Sequence, residues 1–211
     1  PYTLAQTTTI GDFFDPEEAE QFEVGVKAEL LDGRLAATLA LFDITLENVA
    51  TSDPNNSAFI VPIGRQTNRG VELVVQGEVL PGWNMIASYG FSDAEIEESV
   101  DFPGGAIPRN VPQNTASFFT TYEIQAGALE GLGFGLGLFF VDRRFGDDAN
   151  TFTLDSYWRT DASIFYRRDQ LQIGINFRNL FDIDYFESAA NRGGASPGEP
   201  FTILGSVSYR F

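Results

Sequence analysis

The 211 residues contain no cysteine and no histidine. Without cysteine there is no disulfide framework, no thiol nucleophile and no zinc-thiolate centre. Without histidine there is no Ser-His-Asp triad, no Cys-His pair and no imidazole metal site. Paired carboxylates remain as enzymatic equipment, but acid-rich stretches such as Glu95-Ile96-Glu97-Glu98-Ser99 read as solvated surface. No catalytic residue is assigned. Positive charge is scarce too: 13 Lys and Arg against 30 Asp and Glu give a net charge of −17. That balance argues against a nucleic-acid partner, whose phosphates need a basic face. The start, Pro1-Tyr2-Thr3-Leu4, has neither the basic nor the apolar region of a signal peptide. The longest uncharged run, 79–92, falls short of the ~20 apolar residues of a spanning helix and contains a Pro-Gly turn. A membrane-spanning chain is still allowed if it crosses as strands.

Period-two alternation is what the sequence does have. Reading back from the end, Phe211, Tyr209, Val207, Gly205, Ile203 and Phe201 share one face, and Arg210, Ser208, Ser206, Leu204 and Thr202 the other. Leu171, Ile173, Ile175, Phe177 and Phe181 oppose Gln172, Gly174, Asn176 and Arg178. Trp83, Met85, Ala87, Tyr89 and Phe91 oppose Asn84, Ser88 and Gly90, while Leu132, Phe134, Leu136, Leu138 and Phe140 oppose three glycines. Val71, Leu73, Val75 and Val79 stand against Glu72, Gln76 and Glu78, with Val74 intruding, and Trp158 to Tyr166 alternate against Arg159, Asp161 and Ser163. About nine strands result.

The connections sort by length. Asp32-Gly33, Pro81-Gly82, the stretch 128–131 and Arg168-Asp169-Gln170 are tight, and the Gly and Pro dipeptides supply turn geometry. Between them lie long polar connections at 49–66, 94–112, 143–153 and 182–200. Short and long turns on opposite ends suit a transmembrane barrel, with tight periplasmic turns, long outer loops, an apolar outside and a polar inside. Aromatics near strand ends (Trp83, Tyr166 and Phe211 at the turns; Phe91, Phe140, Tyr157, Phe181 and Phe201 at the loops) suit two interfacial girdles. Strand 171–181 then runs outward and 201–211 returns, leaving Phe211 at the periplasmic rim. A soluble β-sandwich adhesin is the competing architecture.

Several runs carry a family resemblance. The stretches FDPEEAEQFEVGVKAEL, LFDITLENVATSDP, RQTNRGVELVVQGEVLPGWN, VPQNTASFFTTYEI, YWRTDASIFYRR, INFRNLFDIDYFES and PGEPFTILGSVSYRF resemble barrel strands of TonB-dependent outer-membrane receptors of the ferric-siderophore type. Asn-Leu-Phe-Asp at 179–182 and the terminal Tyr-Arg-Phe are the most specific. Such receptors have a plug, a TonB box and a barrel of about 22 strands. The chain resembles the C-terminal portion of that barrel over 1–211, without plug or N-terminal strands.

The resemblance implies an outer-membrane location and uptake of ferric siderophores powered by the TonB–ExbB–ExbD complex. It also implies contact with lipid and lipopolysaccharide, and insertion by the barrel-assembly machinery through the terminal strand (Phe201, Ile203, Val207, Tyr209, Phe211). Cobalamin, another metal chelate or an oligosaccharide are alternative cargoes. No cofactor is expected, since iron arrives already chelated. Candidate ligand contacts on the loops are Arg143, Arg144, Phe145, Tyr157, Trp158, Tyr185 and Phe186, with the arginines suited to an anionic chelate. Their competing roles are girdle or loop packing for the aromatics, and pairing with Asp147 and Asp148 or with lipopolysaccharide phosphates for the arginines. The acidic stretches 12–20 and 93–101 offer hard oxygen ligands for calcium but lack EF-hand spacing, so no metal site is assigned. Arg159 with Asp161, and Glu72 with Gln76 and Glu78, are expected to knit the inner wall.

Overall fold

The computed structural model describes residues 16–53, 56–102 and 104–211. Nine strands form one antiparallel sheet, each paired with its sequence neighbour in that sheet. They are β1 (Glu18–Leu30), β2 (Leu35–Asp53), β3 (Asn56–Leu80), β4 (Trp83–Glu98), β5 (Asn114–Glu123), β6 (Leu132–Val141), β9 (Tyr157–Arg168), β10 (Leu171–Arg178) and β13 (Thr202–Tyr209). Two small hairpins decorate the loop end: β7 (Arg144–Phe145) with β8 (Thr153–Leu154), and β11 (Phe186–Ala189) with β12 (Ala195–Pro197). No second sheet packs on the nine-stranded one among the described residues, which leaves a β-sandwich without its other half.

The register follows the alternation. Leu132, Tyr166, Ile173 and Val207 form one row across four strands, and Gly133, Phe165, Gly174 and Ser206 the row behind it. Leu132 and Tyr166 of the first row are partly covered by their neighbours, but the apolar face carries many exposed side chains: Val207 is 72% exposed, and Phe22 and Val24 are each 67% exposed. An apolar band this continuous is unsuited to water.

The tight turns obey backbone chemistry. Pro81 precedes Gly82, whose φ of +79° fits the third position of a type II turn. Gly82 is also cramped, since a Cβ there would lie 2.5 Å from the Glu123 carbonyl oxygen. Leu31 and Asp32 (φ 52° and 56°) with Gly33 turn β1 into β2.

The long connections differ from expectation. The stretch 49–66 belongs mostly to strand, with β2 and β3 staying paired to Asp53↔Asn56 beyond a bulge at Asn48–Val49. β3 has 25 residues. Roughly 10 residues of a strand cross a bilayer, so even the shorter β2, with 19 residues, runs about 30 Å beyond the span, measured along the strand. Polar composition marked it as loop, but cross-strand bonds satisfy its backbone in water as well as in lipid. Likewise β4 runs to Glu98, so much of 93–101 is strand: Asp93 and Glu95 point away from the buried Ala94 and Ile96. Of the stretch 12–20, Glu18 and Glu20 lie in β1, while 12–15 fall outside the described residues. β10 stops at Arg178 rather than 181, because Asn179 and Asp182 take φ of 49° and 50°, outside the extended region that regular strand pairing uses. The terminal strand is paired from Thr202 to Tyr209, and the Arg210 amide still donates to Gln170 O at 3.0 Å.

Packing is concentrated under the loops. Ala94, Ile96, Ala106, Leu154, Tyr185 and Ala189 are buried. All lie at or beyond the loop ends of the strands.

Candidate functional site

The NLFD run builds the floor of this region. Asn179 is 1% exposed, and its amide nitrogen donates to the carbonyls of Ile183 (2.9 Å) and Glu199 (3.0 Å). Its Oδ1 accepts the Ile183 N–H, and its own N–H donates to Asp161 Oδ1. Asp182 Oδ1 accepts the Phe201 N–H at 2.8 Å. Two side chains thus tie both ends of the 182–200 connection to β9 and β13.

Asp161 also takes a bidentate grip from Arg159, at 3.1 Å on each oxygen, and the guanidinium lies 4.6 Å from the Phe139 ring. The expected pairing of Arg159 with Asp161 is therefore present. Beside it Tyr185 packs on Tyr157, with ring centroids 4.3 Å apart and planes tilted by 35°. Its ring occupies the space over Gly198, where a Cβ would come within 2.1 Å.

Arg144 caps this stack. It is 3% exposed, sits 5.6 Å from the Tyr157 ring, and donates from Nη2 to the carbonyls of Phe186 (2.6 Å) and Glu187 (2.9 Å). Neighbouring connections are sewn together the same way. Asn110 clamps Ala189 through two hydrogen bonds of 2.8 Å, and Asn150 bonds both the N–H and the C=O of Ile107. Arg109 reaches Ala190 O, and Arg192 reaches Thr151 O.

The structure brings Arg144, Tyr157 and Tyr185 together, and Arg143 and Phe145 line a cavity of about 190 Å³ with Arg144. A second cavity of about 370 Å³ is lined by Tyr157, Tyr185, Phe186, Asp155 and Asp184. Trp158 is not part of this group. Alternation sends it to the apolar face, where it is 59% exposed and stacks on Phe140 at 4.7 Å. The arginines do not pair with Asp147 and Asp148: Asp148 faces Arg109 at 3.7 Å, and Asp147 accepts from the Thr151 hydroxyl and amide. That Thr151 hydrogen bond holds the Asp147 carboxyl below its usual pKa. Among the terminal-strand candidates, Phe201 stacks with Phe177 at 6.5 Å, Tyr209 meets Phe211 edge-on, and Ile203 and Val207 stand bare on the apolar face. No cluster of three potential metal-ligating side chains occurs among the described residues.

Sequence reasoning missed Asn110, Asn150 and Asn179 as organisers. The one available signal was asparagine at turns, since all three adopt positive φ. It also missed the aromatic rings of the polar face. Phe165 covers Gly133, and Phe119 and Phe139 crowd Gly137, so two of the three β6 glycines make room for rings, while Gly135 makes room for the Ser163 hydroxyl.

Comparison with known proteins places this arrangement. The family model described as TonB dependent receptor-like, beta-barrel, matches residues 2–180. The metal-pseudopaline receptor CntO of Pseudomonas aeruginosa is 34% identical over 207 residues, which is 97% of this chain and 29% of that receptor. The ferrichrome outer membrane transporter/phage receptor of Escherichia coli is 31% identical over 206 residues, 95% of this chain and 27% of that protein. The crystal structure of the siderophore receptor PiuA from Acinetobacter baumannii superposes with a TM-score of 0.82 at 30% identity, covering 93% of this chain and 29% of PiuA. The P. aeruginosa receptor FpvA bound to a heterologous ferric pyoverdine gives 0.81 at 26% identity over 99% of this chain and 29% of FpvA. The chain thus spans under a third of the length of these relatives. Its apolar face is a lipid-facing surface and its polar face a barrel interior, and the chain belongs to the TonB-dependent receptor β-barrel family of the bacterial outer membrane.

Proposed function

We propose that the receptor containing this chain captures ferric siderophores outside the outer membrane and imports them with energy delivered through TonB, ExbB and ExbD. This segment supplies the C-terminal part of the barrel wall. The plug and the remaining strands come from elsewhere in the receptor, and those strands pair with the outer edges of β1 and β13, which each have one neighbour among the described residues. Lipid and lipopolysaccharide meet the apolar face, and the barrel-assembly machinery engages the terminal strand. The wall performs no bond-making chemistry and holds no resident cofactor; iron passes through as chelated cargo.

One observation carries the reading. A region similar over nearly its whole length to proteins named as ferrichrome, ferrioxamine B and ferripyoverdine receptors also gathers stacked tyrosines, arginines and a pair of cavities at its loop end. Such a ledge suits an organic chelate, which needs flat apolar contact and a few directed polar groups. A second reading is specifically favoured by the 34% identical relative named as a metal-pseudopaline receptor: the cargo is a chelate of another metal.

The test is growth. The full-length receptor, expressed in an iron-starved strain lacking its own receptors, restores growth on a ferric chelate from a hydroxamate, catecholate and pyoverdine panel, and only with TonB intact. Growth restored without TonB, or uptake of zinc and nickel chelates but no ferric one, contradicts the ferric-siderophore reading.

A further inference from the structure

Two asparagines imitate β-bridges between connections that are remote in sequence. Asn150, in the connection from β6 to β9, bonds both the N–H and the C=O of Ile107 in the connection from β4 to β5, at 2.9 and 2.7 Å. Asn110, three residues after Ile107, treats Ala189 of the β10–β13 connection in the same way, at 2.8 Å for each bond. Both asparagines have positive φ, 55° and 62°, a conformation this residue type tolerates better than most. Strand order puts β6 and β9 between β5 and β10, so the Asn110 clamp reaches past a whole hairpin.

The remaining pair of connections is joined as well. Arg144 donates to the Phe186 and Glu187 carbonyls, and Arg192 donates to Thr151 O at 2.8 Å while its guanidinium lies 5.4 Å from the Phe152 ring. Further bonds reinforce the first two contacts: the Asn110 N–H to Phe145 O and the Arg109 N–H to Asp148 Oδ1, both 2.8 Å, and Arg109 Nη1 to Ala190 O at 3.1 Å. β8 lies against β11, and Ala106, Leu154 and Ala189, one from each connection, are buried. The three connections thus form a closed triangle. In an open chain of contacts, an end member leaves by breaking one link. In a triangle every member is held on two sides, and both must break before it lifts.

We propose that the connections β4–β5, β6–β9 and β10–β13 open and close as one cooperative unit, with Asn110 and Asn150 as its latches. Separate loops would each fray with their own opening free energy, whereas a unit has a single one. A molecule that presses on one connection therefore slows the opening of all three, because ordering is shared. The unit depends on bonds within this chain and does not rest on the transport reading.

The test is native-state hydrogen exchange on the full-length receptor in detergent, with no ligand added and with urea below the level that unfolds the barrel. One hydrogen-bonded amide reports on each connection: Ile107, Gly146 and Ala189. Their opening free energies are expected to converge on one urea dependence, and three lines that never merge overturn the unit. A variant gives the second measurement. Asn150→Gly keeps the positive φ but removes both bonds to Ile107. It is expected to speed exchange about tenfold at Ile107 and equally at Ala189, which Asn150 does not bond, with the Ser117 and Phe119 amides of β5 unchanged. Asp169→Gly, the same kind of replacement at a φ of 53° in the β9–β10 turn, is expected to alter none of the three. Acceleration that is absent, confined to Ile107, or matched by Asp169→Gly overturns the proposal. Should Asn150→Gly fail to fold, the urea series on the unaltered receptor decides alone.

Discussion

Asn179 shows how one side chain can organise a loop. It is 1% exposed and uses its side-chain amide and backbone N–H in four hydrogen bonds that converge from β9 and both ends of the 182–200 connection. Truncation would strand buried carbonyls and one buried N–H, each costing about 1–3 kcal/mol. Asn179→Ala should therefore speed exchange of the Ile183 amide by roughly tenfold or more while leaving the β9–β10 ladder protected. Unchanged exchange at Ile183 would mean that the loop is held by something else. Asp147 gives a pH-dependent counterpart. Its carboxyl is held below the usual value of 3.8, chiefly by the Thr151 hydroxyl, so the folded turn favours the ionised form. The contribution to turn stability is full above the unfolded pKa and lost as pH falls through the lower folded one. The 147–151 turn should stay protected from exchange to about pH 4 and open below it, and Asp147→Asn should remove that pH dependence. A turn in the variant that still opens on acidification would contradict the assignment. Neither residue's role was legible from sequence. Asparagine and aspartate at turns are visible in a string of letters, but the strands and loops they reach lie up to 79 positions away, as with Asn110 and Ala189.

Strands were legible because alternation is a local signal: about nine were expected, and the main sheet has nine among the described residues, while the four short strands of the loop-end hairpins carry too few residues to show a period. Their outer limits were not. A hairpin such as β2–β3 needs a continuous apolar face only where lipid touches it, so its extension reads as polar loop. The β6 glycines are a second example. Sequence marked Gly133, Gly135 and Gly137 as the non-oily side of β6 without saying why that side is bare. The structure supplies the reason: a Cβ on Gly133 would lie 2.2 Å from Phe165 Cζ, and that ring in turn carries Arg167 at 4.5 Å. Gly133→Ala must therefore displace a ring held by a cation and a β-strand, with an expected cost of about 1–3 kcal/mol in urea unfolding of the receptor. Phe165→Leu, which vacates the space, should recover most of that loss in the double variant. Additive losses in the two variants would show that glycine and ring are not coupled.

At the scale of the whole molecule, the two faces of the sheet divide the labour. The −17 net charge and the long loops serve the aqueous sides, while the bare apolar band can persist only against hydrocarbon. The family's fold class was legible for the same reason: a barrel wall writes its environment into every second residue. The candidate site was only partly legible. Arg144, Tyr157 and Tyr185 were within reach because aromatic and cationic side chains at a loop end are a compositional cue, and the structure brings them into one stack. Trp158 carried the same cue, but its odd-even position placed it among lipid-facing aromatics. Faces are set by parity, and site membership by how loops fold back, which no periodicity encodes.

The most direct test of this division is nitroxide accessibility on the terminal strand of the full-length receptor in lipid bilayers. Labels at Val207 and Ser206 are neighbours in sequence and opposite in face. The label at 207 should relax with membrane-dissolved oxygen and ignore a water-soluble nickel chelate, and the label at 206 should do the reverse. If 206 reports lipid and 207 reports water, the assignment of the two faces is wrong, and the barrel wall described here is inside out.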